Sequence, residues 1–306
     1  MNISTLAKRT GGSAIPPEVT YSEQTYRDGV DFKLTDENPV NKNIWSNFAP
    51  LDEGNSVYNA ALWGTGAEGG GASVGGDLDF SGICFYKNTA SSDGHKPVVR
   101  MTAITRRHVI CAKHVTPDLG TVCTFIKPDG GLVTRTIDDR GSAPVAGSGD
   151  LRVLYLDEDL PAEIASYRIF HPDVWDTLNF SRIPVLMLRH SVADYDPGDE
   201  GNNQWQANVW DIYSKSTPVT TKSGTTLKSV RFIKSVDPIR LLYKGPDELK
   251  TSSGCPVFCV RGTTLIFLGA LWYGGYYPGC ASPNNFHDEL ETEMSNLGPE
   301  TLEYET

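Results

Sequence analysis

The chain is poor in cysteine, carries no surplus of positive charge and has no long apolar run. Its 306 residues include six cysteines, Cys84, Cys111, Cys123, Cys255, Cys259 and Cys280. No two form a CxxC pair and none stands at a Cys/His metal-ligand spacing, so no metal site is expected and the six read as reduced thiols. No window is long and apolar enough to span a bilayer, and the start, MNISTLAKRTGGSAIPPEV, lacks the apolar segment of a signal peptide. The expectation is a chain with no membrane partner, cytoplasmic or associated with a virus particle. The formal net charge is −11 and the pI about 5.0, which argues against a nucleic-acid partner, because phosphate binding relies on clustered Lys and Arg. The glycine cluster from Gly64 to Gly76 lacks the Gly-Lys-Ser/Thr ending of a phosphate-binding loop, so no nucleotide cofactor is expected.

What is present is turn chemistry and short apolar runs. Thirty glycines and nineteen prolines punctuate a chain that is 39% hydrophobic, enough for one large core or two smaller ones. Helix-period stretches are few. From about Asp79 come SGICFYKN, VVRMTAI, HVICAKHV, VCTFIK, LVTRTI and DLRVLYL, then RIPVLMLRHS, QANVWDIYSK, LKSVRFIKSV, IRLLYK, PVFCV and TLIFLGALWYGG. Many short β-rich runs with turn signals between them indicate an all-β barrel or sandwich. NFHDELETEMSNLG reads as a helix, with Asn285 as its N-cap and Gly298 past its end. Residues 1–78 differ: they are polar and Gly/Pro-rich, yet carry Trp45, Phe48, Tyr58 and Trp63, more aromatic character than a disordered tail has. They read as an extended arm that packs on something.

Three stretches carry chemistry. MTAITRRHVICAKHV ends near His114, GSGDLRVLYL places Asp150 before an alternating strand, and KTSSGCPVF holds Ser253. A serine hydroxyl needs an adjacent base to become a nucleophile, histidine suits that task near neutral pH, and a carboxylate can fix the ring's tautomer. Taken singly, each stretch also has an ordinary structural reading: a strand-end histidine, a turn acid, a turn serine.

Taken together and in this order, ITRRHVICAKH, DLRVLYL and TSSGCPV resemble the signatures of the chymotrypsin/trypsin-like serine proteases, and LGALWYGG is similar to the strand that lines their substrate cleft. The resemblance covers about residues 79–290. It implies two six-stranded antiparallel β-barrels of chymotrypsin type, over 79–165 and 166–286, followed by a C-terminal helix and acidic tail over 287–306. It implies His114 as general base, Asp150 as its orienting acid and Ser253 as nucleophile, with the N–H groups of Thr251 and Ser253 as the oxyanion hole. Trp272, Tyr273 and Gly274 would line the cleft. Asp247, counted back from Ser253, would select a basic substrate side chain, or else is a surface turn acid while Tyr273 lines an apolar pocket. No cofactor or metal is implied. His108 falls where the family tolerates many residues and reads as a surface or strand-end side chain.

Four positions depart from the family pattern. Thr251 replaces a glycine whose N–H is half of the oxyanion hole, and a β-branched residue resists unusual backbone angles. Ser252 replaces the aspartate that pairs with a newly cut N-terminus in animal members, so activation by that cut is excluded. Val115 replaces a disulfide cysteine, and Cys255 replaces a glycine as a small buried filler. Two functions are therefore carried forward. One is a serine endopeptidase acting on polypeptides. The other is a structural or binding component of a larger assembly, such as a virus or phage particle, with homo-oligomer or assembly contacts through residues 1–78 and little or no activity.

Overall fold

Several strands are apolar on both faces, and the structure shows why. In the computed structural model the described residues are 78–87, 98–127, 132–177, 183–190, 205–220, 226–234, 253–261, 264–273 and 278–306. The expected arm over 1–78 lies outside them except for Leu78, which is buried in the core, and so does the expected strand IRLLYK.

The first six strands are β1 (Ile83–Lys87), β2 (Val98–Ala103), β3 (His108–Ala112), β4 (Val122–Ile126), β5 (Leu132–Pro144) and β6 (Leu151–Leu156). They close into an antiparallel barrel in the order β1-β2-β3-β6-β5-β4. The connection then runs through β7 (Ile169–Phe170) and the short helix α1 (Pro172–Thr177). A second closed barrel follows, built from β8 (Pro184–His190), β9 (Trp205–Thr220), β10 (Thr226–Lys234), β11 (Pro256–Arg261), β12 (Thr264–Tyr273) and β13 (Gly279–Ala281), in the order β10-β13-β12-β11-β8-β9. The fold is thus mostly β, as expected. β13 was not legible in sequence, because three residues between a proline and a Ser-Pro pair carry no alternation.

Successive side chains of a strand point to opposite faces. In β3, Val109 and Cys111 enter the first barrel's core while Ile110 joins a separate cluster between the barrels. In β6, Leu154 and Leu156 face inward, and Leu151, Val153 and Tyr155 face that shared cluster. The second barrel mirrors this: Val257 and Cys259 of β11 fill its interior, and Phe258 and Val260 meet the shared cluster. Both faces of these strands leave water, one into a barrel and one into the seam, which accounts for the near-continuous apolar runs. The seam carries much of the apolar burial that drives folding.

The carboxyl-terminal segment returns to the first barrel. Helix α2 (His287–Leu297) buries His287, Leu290, Met294 and Leu297 on one face and packs against β5 and β6. Its N-cap is Phe286 rather than the expected Asn285. Asn285 instead ends a 3-10 turn and spends its side chain accepting from Trp175 Nε1 at 2.9 Å and donating to the Lys215 carbonyl at 3.0 Å. Beyond Gly298, β14 (Tyr304–Glu305) pairs in parallel with β7. Of the two readings of His108, strand end holds and surface does not. It opens β3, but it is fully buried, with Nδ1 3.0 Å from Thr105 Oγ1 and 3.6 Å from Glu300 Oε2. The apolar wall of Tyr155 and the returning tail cover it, which no local pattern around RRHV reveals.

Gly269 faces Val257 across the β11–β12 ladder, next to a register shift in β11. A Cβ there would lie 2.4 Å from the Ala281 carbonyl oxygen and 2.8 Å from Cys280 Sγ. Backbone cannot yield as a side chain can. Gly269→Ala is expected to cost roughly 2–3 kcal/mol of stability, as overpacked cores do. Urea unfolding measures this, and an unchanged midpoint would show that β13 moves freely.

Candidate active site at the barrel junction

The three candidate residues come from three different connections. β3 ends at Ala112, and a single 3-10 turn, Lys113–Val115, carries His114 off the strand. Thr116 closes that turn, its hydroxyl donating to the Lys113 carbonyl at 2.6 Å. Tyr86 of β1 donates its hydroxyl to the Val115 carbonyl, and Val115 packs on the first barrel's core where the resembled family has a disulfide cysteine. Asp150 immediately precedes β6. Ser148 Oγ accepts from the Leu151 N–H at 3.1 Å and donates to the Val145 carbonyl at 2.7 Å, which fixes the turn delivering Asp150. Because Ala112 pairs with Leu151, and the Lys113 N–H donates to the Asp150 carbonyl at 2.9 Å, sheet register alone puts Asp150 beside His114.

Ser253 reaches them from the second barrel. Gly254 after it has φ of 80°, a left-handed conformation that favours glycine. That turn lets the Gly254 N–H donate to the Leu271 carbonyl at 2.8 Å while the Leu271 N–H donates to the Cys255 carbonyl at 2.9 Å. The loop is thereby stitched to β12 just before β11 begins.

The side chains meet in a line. His114 Nδ1 lies 2.7 Å from Asp150 Oδ2, and His114 Nε2 lies 2.7 Å from Ser253 Oγ. Asp150 Oδ1 accepts a second bond, from the His114 backbone N–H at 3.0 Å. An ionised carboxylate accepts only, so Nδ1 carries the ring proton and Nε2 presents a lone pair to the serine hydroxyl. The Asp150 side chain is 9% exposed and the His114 side chain 45%. The acid is thus shielded from water, while the ring stands open to an incoming molecule. Ser253 is half-buried. This arrangement can remove a proton from Ser253 and hold the resulting imidazolium against a fixed negative charge.

The other expected site residues divide. Trp272 is half-buried in the seam, its Nε1 donating to Ser229 Oγ at 3.3 Å. Tyr273 ends β12, paired with Gly279. Thr251, Asp247 and Gly274 lie outside the described residues. Among the described residues, no group of three or more His, Cys, Asp or Glu side chains is placed to hold a metal ion, and no helix is long and apolar enough to cross a membrane. Arg100, whose sequence signal is a lone charge inside the apolar strand VVRMTA, reaches the Ser253 loop and is a further residue of this site.

A thiol nucleophile has no access here. All six cysteines are free and buried. Burial pushes the Cys111 thiol up to about 12 and raises Cys84, Cys259 and Cys280 as well. Iodoacetamide at pH 8 is expected to leave the native protein unmodified over an hour and to alkylate all six cysteines in denaturant. Rapid native labelling of Cys255, read by peptide mass, would show that this thiol is accessible.

No family model matches the chain and no curated protein matches it, so the chemistry assigned to this junction rests on its geometry.

Proposed function

We propose that the chain is a serine endopeptidase of the chymotrypsin/trypsin-like type, hydrolysing polypeptides through an acyl-enzyme. One observation carries this reading: a single imidazole bridges a buried carboxylate and a serine hydroxyl at 2.7 Å on each side. Two six-stranded antiparallel barrels with the site at their junction support the family assignment.

The chemistry follows from the hydrogen-bond directions. Ser253 donates to His114 Nε2, so attack of Oγ on a peptide carbonyl carbon passes the proton to the ring. General-base help of this kind contributes about 10²–10⁴-fold. The imidazolium then carries protons on both nitrogens, and Asp150 stabilises it without taking a proton itself. Negative charge develops on the former carbonyl oxygen. The Ser253 N–H, joined by that of Thr251, would receive it, each such donor being worth about 2.7–4 kcal/mol. As the tetrahedral species collapses, His114 protonates the departing amine and the acyl group stays on Ser253. Water then enters, gives its proton to Nε2 and attacks the ester, and the ring returns that proton to Oγ. The open face of the His114 ring suits this exchange of amine for water. A basic primary preference would rest on Asp247, and an assembly role on residues 1–78, of which only Leu78 is among the described residues.

A fluorophosphonate probe tests the reading. Wild type should be labelled and Ser253→Ala should not. Asp150→Asn should label on the order of 10⁴-fold more slowly, because the amide favours the wrong ring tautomer. Folded wild-type protein that takes up no probe would refute the hydrolase.

A further inference from the structure

Behind the Ser253 loop lies a charged group that the hydrolysis scheme does not use. Arg100 belongs to β2 of the first barrel, and Cys255 stands two residues after Ser253 in the second. Both are 0% exposed, and Arg100 Nη1 donates to Cys255 Sγ at 3.3 Å. Burial draws the guanidinium pKa down, and the Cys255 sulfur draws it back up. Burying a cation is costly unless fixed acceptors meet it, so a guanidinium in this place holds its acceptors in turn.

The location gives the contact its meaning. The backbone bonds from Gly254 and Cys255 to Leu271 tie the loop to its own barrel. The Arg100 bond ties it to the other one, which carries His114 and Asp150. β2 pairs with β3 through Thr102 and Ile110, and His114 follows β3 directly. A continuous path of directional bonds therefore runs from the Ser253 loop through Cys255, Arg100 and β2 to the base. Glycine, the residue of the resembled family at this point, offers no side-chain acceptor.

We infer that Arg100 is a positioning residue for Ser253: its bond to Cys255 Sγ fixes the nucleophile loop against the first barrel, in the register where Ser253 Oγ meets His114 Nε2. The kinetic consequence rests on the hydrolase reading; the geometric one does not.

The experiment uses the full chain with Cys255→Ala, Cys255→Ser, Arg100→Met and Arg100→Lys. In a crystal structure of Cys255→Ala the Nε2–Oγ separation is expected to open from 2.7 Å to beyond hydrogen-bond reach. The fluorophosphonate labelling rate per folded molecule should fall by about 10²-fold, the scale of an ångström-sized misplacement, and the thermal midpoint should drop because the buried guanidinium loses an acceptor. Cys255→Ser, whose hydroxyl accepts the same bond, should recover most of that rate, and Arg100→Lys should recover part of the loss caused by removing the cation. Wild-type geometry in Cys255→Ala, or serine rescuing no better than alanine, would overturn the positioning role. If wild type itself takes no probe, the hydrolase fails, while the Nε2–Oγ distance in Cys255→Ala still decides whether Arg100 positions the loop.

Discussion

An ionised carboxylate can accept hydrogen bonds but cannot donate one, and the junction of this protein depends on that asymmetry. Asp150 is shielded from water and spends one oxygen on the His114 backbone and the other on its ring. The first bond sets where the histidine stands, and the second sets which nitrogen is free. Without the acid, the ring could turn or hold its proton on the wrong side, and Ser253 would face a donor. The direction of every proton movement in the proposed reaction is thus fixed by a residue that never touches substrate.

That chain of bonds crosses a boundary between two closed barrels. Closed sheets have no free edges to join, so the two sheets do not pair edge to edge and the barrels meet through a packed side-chain seam. The shared cluster, with Ile110 and Val153 from one side and Phe258 and Phe267 from the other, supplies that adhesion. The alternation of β3, β6 and β11 serves it directly, since each gives one face to its own barrel and the other to the seam. Helix α2 adds a clasp: it follows the second barrel in sequence yet packs on the first. A site split between halves demands such redundancy, because a small slide of one barrel would break the 2.7 Å contact at Ser253 while leaving both cores intact.

The legible parts of this architecture were those encoded over short distances. His114, Asp150 and Ser253 each sit one step outside a strand whose apolar pattern is plain, so their meeting could be anticipated from three local motifs in order. The strands themselves were readable for the same reason. What escaped was long-range or too short to have a period. β13 has three residues. Asn285 looks like a cap but is claimed by Trp175, 110 positions away. His108 looks superficial because the segment that buries it, around Glu300, arrives almost two hundred residues later. Arg100 does leave a local trace, a single charge within an apolar strand, where a buried partner is the usual requirement.

The proposed role of Arg100 fits a limit of apolar packing as a way to hold the proposed reaction centre. Burial is non-directional: a cluster of Phe, Leu and Val side chains opposes separation strongly but resists sliding only through the fit of its shapes. A hydrogen bond from a rigid planar guanidinium constrains angle as well as distance. Placing such a group against the residue just behind the nucleophile adds direction where the seam provides only adhesion. The burial of a cation there is unfavourable in isolation, as its lowered pKa indicates. It becomes intelligible when the quantity being held is the register between Ser253 and His114 rather than the stability of either barrel.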